Sequence, residues 1–472
     1  MTSTWFGLEI ARRGMMLNQR ALDITGHNLA NAETPGYTRQ EAVISPTDPY
    51  TRPDLASWVT AGQLGTGAEI SGVRRVKDEY LDNNVRRCTT DSAYWESQLP
   101  VLQLAEASIA EPAADGIGDR ITDFFRAWMD LNNSPQDAGV KAAVAQAGDS
   151  LASLVSYTYN QLGDVRDSIA VIDPVASAVT GGRISGQVAE VNDLLAQIHN
   201  LTGSIKKVYD VGQQPNDLLD KRDMLLEKLS QYGLVNVTFE TASGKPTGGM
   251  SQFTFLGMDV KQAGTSLDLT TNGTEISLKI NGGTDDGMSI NLTENAFNTA
   301  LGGSLLGLER ARRSVEDYML KLDDLGANMS DMIAGTGVAA GGFFTGALPD
   351  GNFAVNSALL QNPTLIDGAR AGDVAALRDV QIDPPGKPYT FEQYYALLVT
   401  LVGGAVKVAG DTAGNQTAIK EQIISLRDSA SGVSTEEEMT RMIQYQYAFQ
   451  SSARLVTVLD GMLDIVINRL VS

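Results

Sequence analysis

The sequence predicts an α+β fold, mainly α, with discontinuous nested domains: a terminal helical coiled coil, a helical middle domain carrying a β-hairpin, and a small inserted β domain. Three observations predict it. Both ends of the chain carry apolar stripes at alternating three- and four-residue spacing; residues 78–233 keep a helical period; and after Tyr232 the pattern turns to period-two alternation broken by Gly, Asn, Asp and Thr clusters. The expected domains are 1–39 with 434–472, 40–233 with 294–433, and 234–293.

From the N-terminal end, Leu8, Ala11, Met15, Asn18, Leu22, Thr25 and Leu29 fall on one face of a helix, with Ile10, Gly14, Leu17, Ala21 and Ile24 in a row beside them. The stretch NLANAETPGYTRQ, Asn28 to Gln40, ends that helix. Pro35 pushes Thr34 out of the helical region and presets the second position of a type II turn, and Gly36 supplies the positive φ of the third, before Tyr37 and Arg39. Asn28 and Asn31 are short amides suited to bonding the backbone near a helix end.

QEAVIS and AEISGVRRV, between residues 40 and 76, read as a hairpin with a long connection. Within the helical block, Val188, Val191, Leu195, Ile198, Thr202, Ile205 and Tyr209 share one face, and a loop with Gly212 and Pro215 leads to a helix over Asn216 to Ser230. Asp217, Asp220 and Asp223 line one side of that helix; with Lys221 and Arg222 interleaved, they read as a solvated or salt-bridging face. VNVTFE, SQFTFLGMDV, TEISLKI and MSINLT then form the β insertion. Helical periodicity returns over Gly302 to Asp331 and again over Thr390 to Ser429.

The C-terminal stripe is the most regular: Met442, Tyr445, Phe449, Ser452, Val456, Leu459, Leu463, Val466 and Leu470. Ser434 and Glu437 have capping-box spacing, and Glu436, Glu437 and Glu438 complement the positive end of the helix dipole. A helix from there to the end is about 55 Å long at 1.5 Å per residue. It cannot bury its stripe on itself, and each large apolar side chain left in water forgoes about 1.5 to 3 kcal/mol. The N-terminal helix is the simplest partner, and the same helices in neighbouring copies are the second.

The chain has 472 residues, 43% of them hydrophobic, enough for about three cored domains of roughly 150 residues. A net charge of -21, from 57 acidic and 36 basic residues, disfavours nucleic acid and anionic lipid as partners. A single cysteine, Cys88, and two histidines, His27 and His199, leave no intrachain disulfide and no thiolate or imidazole metal cluster. The opening MTSTWFGLEIARRGMM carries Glu9, Arg12 and Arg13 where a signal peptide needs an apolar core, and no stretch reads as a membrane span, so no membrane insertion is expected.

Enzyme motifs fail on context. GGSLLG has its serine out of register for a nucleophile elbow and opens a helix; the glycines at 335 and 337 follow a helix rather than a strand; Gly244-Lys245 lacks the phosphate cradle; and NGGTDDG lacks the closing Glu of a calcium loop. No catalytic, cofactor-binding or metal-binding residue is therefore expected, and a cell-wall hydrolase built on the carboxylates is the weakest alternative.

NxANxxTPGYxRQ resembles the N-terminal signature of the bacterial flagellar axial proteins, which build rod and hook. Within that group, GAEISGVRRVKDEYLDNNVRR, FFRAWMDLNNSP, PNDLLDKRDMLLEKLS and the C-terminal SGVSTEEEMTRMIQYQYAFQSSARLVTVLDGMLDIVINRL resemble the hook-associated protein 1 family of hook–filament junction subunits. The resemblance covers nearly the whole chain except about 237 to 300. It implies a non-enzymatic homo-oligomeric ring at the hook tip, with the terminal helices in the inner tube and the β domain outside. It also implies extracellular localisation after type III export without a cleaved signal. Implied partners are the hook protein, the second junction protein, and the export chaperone and apparatus. Another rod or hook subunit is the nearer alternative. The expected assembly residues are Leu8, Ala11, Met15, Leu22, Leu29, Met442, Tyr445, Phe449, Val456, Leu459, Leu463, Val466 and Leu470. The turn of Asn28, Asn31, Thr34, Pro35, Gly36, Tyr37 and Arg39 is expected to fix how the terminal helix leaves the body.

Overall fold

The structure is a computed structural model that describes residues 4–49, 65–109, 116–173, 175–242, 245–382 and 389–465. Val466 and Leu470 of the expected stripe lie outside these. Helix α1 (Thr4–Ala30) is followed by the antiparallel hairpin β1 (Gln40–Pro46) and β2 (Ala68–Arg75), in the places the alternation predicts.

The helical body contains α2 (Glu79–Ile109), α3 (Ile117–Asn133) and α4 (Ala138–Ile169). The apolar face of α3, with Ile121, Phe124, Phe125, Trp128 and Leu131, is fully buried, because six apolar positions recur at helical spacing on one side. Phe124, Trp128, Phe343 and Phe344 form an aromatic cluster of edge-to-face and tilted pairs with ring centroids 5.0 to 6.1 Å apart.

The helical block is interrupted where periodicity gave no sign of it. After α4 comes a short hairpin, β3 (Val171–Asp173) and β4 (Ala178–Gly181), then α5 (Arg183–Asp210) and α6 (Asn216–Ser230). Strands of three and four residues are too short to show an alternation against flanking helices.

The β region is two sheets. β5 (Val235–Ala242), β6 (Lys245–Phe255) and β7 (Met258–Asp259) make one. SQFTFLGMDV is thus two strands joined by a two-residue turn, with Leu256 at φ 50° and Gly257 at φ 87°. Positive φ at both positions is the geometry that matches strand twist, and the burial of Leu256 holds a residue there that gives no turn signal. β8 (Ser266–Thr271), β9 (Ile276–Asn281) and β10 (Ser289–Asn291) join β4 and β3 in a five-stranded sheet of order β10-β9-β8-β4-β3. The hairpin from the helical block therefore completes the inserted sheet.

A single turn, α7 (Leu292–Asn295), leads into α8 (Gly303–Thr336). There Glu309 and Arg312 form a fully buried ion pair at 2.7 Å, and Thr293 donates to Glu309, tying the sheet to the helical core. Small elements follow, β11 (Phe344–Thr345), β12 (Ala354–Val355), α9 (Ser357–Gln361) and α10 (Ala371–Ala376).

Then α11 (Phe391–Ser431) runs unbroken for 41 residues from a capping box at Thr390 and Gln393. Contrary to the expectation from composition, the helical run that it opens, Phe391–Asp464, is by length and composition apolar enough to cross a membrane. Phe391, Tyr394, Tyr395, Leu398 and Val402 are buried, and the helix packs along α2. After Gly432 comes α12 (Thr435–Asp464).

Candidate assembly interface

α1 and α12 pack side by side. They run antiparallel: a Cβ on Gly7 would lie 3.3 Å from Leu459, a Cβ on Gly14 would lie 3.7 Å from Ser452 Cβ, and Asn28 bonds Glu438. These pairs step by seven and then fourteen residues on each helix, multiples of the coiled-coil repeat.

On α12 the half-buried residues include those the spacing singles out, Met442, Tyr445, Phe449, Ser452, Val456, Leu459 and Leu463, with Arg441, Ala448 and Ala453 beside them. On α1 the buried seam is Ala11, Asn18, Ala21, Thr25 and Asn28, while Leu8, Met15, Leu22 and Leu29 flank it half-buried. The seam is thus made of small residues, into which the larger side chains of α12 fit. Asn18 and Thr25 each bond a carbonyl of their own helix, Gly14 and Ala21, so their polarity is satisfied without α12.

The stripe of α12 is thus covered by α1, and a different row stays in solvent: Met439, Ile443, Tyr447, Leu455, Val458, Met462 and Ile465, with Tyr447 66% exposed. Sequence spacing does not distinguish these two faces, because both are apolar.

The turn is built as the sequence predicts. Tyr37 N donates to Thr34 O at 3.1 Å and Gly36 has φ 75°, a closed turn with its glycine in the left-handed region. Gly36 also lies directly against the side chain of Met224, so any Cβ there collides with α6.

Asn28 is the hub of the motif. Its Oδ1 accepts from Tyr37 Oη at 2.8 Å and Gln40 N at 3.0 Å; its Nδ2 donates to Gln40 O at 2.8 Å and Glu438 Oε2 at 3.0 Å. Asn31 Nδ2 donates to His27 O at 2.9 Å and so caps the helix end, and Thr34 Oγ1 donates to Asn31 Oδ1. Pro35 is exposed at the turn's tip. Arg39 joins three elements: its N–H donates to Ser431 O at the end of α11, its carbonyl accepts from Val76 N beyond β2, and its guanidinium reaches Glu437 at 3.2 Å. Glu437 is therefore turned away from the reciprocal half of a capping box; Ser434 alone caps α12, accepting from Glu437 N.

Beneath the turn, the acidic face of α6 is an interface rather than a solvated edge. Gln40 Nε2 donates to Asp217 at 2.9 Å, Thr38 N donates to Asp220 at 3.1 Å, and Arg75 bridges Asp220 and Asp223 at 2.8 Å each. Burial pushes the Asp220 carboxyl up, and Arg75 and Thr38 offset only part of that. Burial acts the same way on Asp223, but Lys77 and Arg75 outweigh it and hold that carboxyl low. Burial, with the carboxylates of Asp217, Asp220 and Glu438, raises the Tyr37 phenol, which therefore stays a donor to Asn28. Sequence reasoning missed Glu438, Gln40 and Asn216, whose Nδ2 donates to Gln40 Oε1 at 3.0 Å, as well as Thr38, Arg75 and Lys77. Among the described residues no group of three or more His, Cys, Asp or Glu could hold a metal ion.

Paired terminal helices, closed by a TPGY turn onto a helical body, define a bacterial flagellar axial protein. The profile of the flagella basal body rod protein matches residues 8–38, and that of the flagellar basal body rod FlgEFG protein C-terminal region matches 427–470. Within that class the chain belongs to the hook-associated protein 1 family. The profile of the flagellar hook-associated protein FlgK helical domain matches residues 102–336, and a flagellar hook-associated protein 1 of Bacillus subtilis (strain 168) is 29% identical over 514 residues, covering 99% of each chain. The protein of the same name from Salmonella typhimurium (strain LT2) is 25% identical over 232 residues, which span 49% of this chain and 38% of that one. The structure of the flagellar hook junction protein FlgK from Burkholderia pseudomallei shares the fold, with a TM-score of 0.57 at 14% identity, over 75% of this chain and 100% of that chain.

Proposed function

We propose that the chain is a non-enzymatic structural subunit joining flagellar hook to filament. Its terminal coils pack side by side as a ring in the inner tube, with the β insertion outward. It reaches the hook tip by type III export with a chaperone, and there meets the hook protein on one side and the second junction protein on the other.

The observation that carries this reading is the row Met439, Ile443, Tyr447, Leu455, Val458 and Met462, left in solvent after α1 has covered the other face of α12. Large contiguous apolar surface on a soluble chain marks an interaction site, and a two-helix coil with a second apolar face suits lateral packing in a tube. The described part of the expected stripe, Met442 to Leu463, supports the ring indirectly by holding the coil together.

The test is deletion of the gene in its host, with imaging of the cell surface and assay of the medium for filament subunit. Bare hooks and filament subunit lost to the medium are expected. Absent hooks would identify a rod or hook subunit instead, and intact filaments would overturn the reading.

A further inference from the structure

The seam of the terminal coil repeats at every seventh residue on both helices. Gly7, Gly14, Ala21 and Asn28 are seven apart on α1, and Leu459, Ser452, Tyr445 and Glu438 are seven apart on α12. The contacts of Gly7 with Leu459, Gly14 with Ser452 and Asn28 with Glu438 align these rows end against end. A slide of one heptad would set Tyr445 over Gly14 and Ser452 over Gly7, with no two large side chains opposed, so apolar packing specifies the pairing without specifying its register.

One layer breaks the degeneracy. Glu438 is 1% exposed, the one fully buried residue of α12, and it accepts from Asn28 Nδ2 at 3.0 Å. Across residues 7–30 and 435–459, this is the side-chain hydrogen bond that passes between the two helices; Asn18, Thr25, Ser452 and Thr457 bond carbonyls of their own helix. Asn28 cannot follow a sliding α12, because Tyr37 and both backbone groups of Gln40 hold its amide. A slip of seven residues would place the Glu438 carboxylate against Ala21, with no donor to meet it, and leave Asn28 Nδ2 one bond short. Buried polar pairs whose partners are fixed are the best attested device for setting register.

We infer that Asn28 and Glu438 are a register pin, specifying one alignment of the terminal coil and hence one height of its outward row Met439 to Met462 relative to the body. The inference rests on the reading of that coil as the assembling element. A coil one heptad out would shift its outward row by about 10 Å, at 1.5 Å per residue, against the same row in a neighbouring copy.

Purified full-length protein carrying Cys88→Ser, Gly14→Cys and Ser452→Cys tests it. The 3.7 Å between Cβ positions falls within the range a disulfide spans, so mild oxidation should close the 14–452 bridge. A second chain with Gly14→Cys and Tyr445→Cys, also in Cys88→Ser, reports that slip of one heptad. Adding Asn28→Leu with Glu438→Leu should lower the 14–452 yield at least twofold and raise the 14–445 yield severalfold, even though two leucines bury readily. Glu438→Gln, which still accepts from Asn28, should leave both yields as in the parent. Unchanged yields in the leucine variant would overturn the pin. Failure of the parent itself to form the 14–452 bridge would overturn the coil on which the pin depends.

Discussion

Leu459 lies over Gly7, with a methyl carbon 3.3 Å from where a glycine Cβ would stand, and Leu463 continues the same half-buried row. Replacing both by Asp sets two carboxylates against an apolar seam without a donor, a change of at least several kcal/mol against a coil of two helices. The body has its own core around Trp128, Phe124 and Val315, none of which involves α12. The double variant is therefore expected to lose incorporation into the axial structure while keeping a cooperative thermal transition of the body. Variant protein found in purified hook–filament preparations would contradict it.

Ile443 and Val458 provide the complementary case, since both face solvent, at 50% and 53% exposure. Aspartates there leave the intramolecular coil intact, and surface substitutions of this kind change stability by about 0.5 kcal/mol or less. Assembly should nevertheless fail, because the outward row then carries charge into a face that packs against neighbours. The pair is measured by unfolding midpoint in urea and by filament formation in cells. A loss of stability equal to that of the Leu459 and Leu463 variant would show that the two faces had been assigned the wrong way round.

Asn28 has four hydrogen bonds and Tyr37 supplies one of them, so the two side chains should differ in cost by a factor that the geometry sets. Asn28→Ala leaves both backbone groups of Gln40 and a buried oxygen of Glu438 without this partner, and about 3 kcal/mol is expected. Tyr37→Phe removes one donor from an oxygen that keeps Gln40 N, and about 1 kcal/mol is expected. Urea unfolding of each variant beside the parent measures both. Equal losses would mean that the amide is not the hub.

How far this was legible depends on what each element is made of. α1, the β1–β2 hairpin, the TPGY turn and α12 are legible because apolar spacing, proline and glycine chemistry, and a Ser434 cap each leave a local mark. The buried seam of α1 leaves a weaker one: it consists of Ala11, Asn18, Ala21, Thr25 and Asn28, whose burial follows from close backbone approach rather than from side-chain hydrophobicity. Only the seven-residue recurrence of small residues could have signalled it. Glu438 reads from sequence as one of three acids complementing a helix dipole, and nothing local separates it from Glu436 and Glu437; its partner is 410 positions away. The β3–β4 hairpin is invisible for a similar reason, since Ala178 pairs with Thr270 across the intervening α5 and α6 and the first sheet.

His199 gives the β region a pH dependence of definite sign. Its Nε2 lies 2.7 Å from Val260 O, and because a carbonyl only accepts, the neutral ring carries its proton on Nε2. Burial lowers its pKa below the ordinary 6.5, and the bond to Val260 opposes this only in part. Between the folded pKa and about 6.5 the unfolded chain binds the proton and the folded chain does not, so stability rises with pH across that window. The contribution is fully present above about pH 6.5 and is lost as pH falls through the window to the folded pKa. His199→Gln keeps a donor for Val260 but does not titrate. Urea unfolding at pH 7.5 and pH 5 should therefore show a larger loss on acidification for the parent than for His199→Gln. All other titrating groups are common to both proteins, so the difference between the two losses isolates the imidazole. Equal losses would mean that His199 is as free to take up a proton in the folded chain as in the unfolded one.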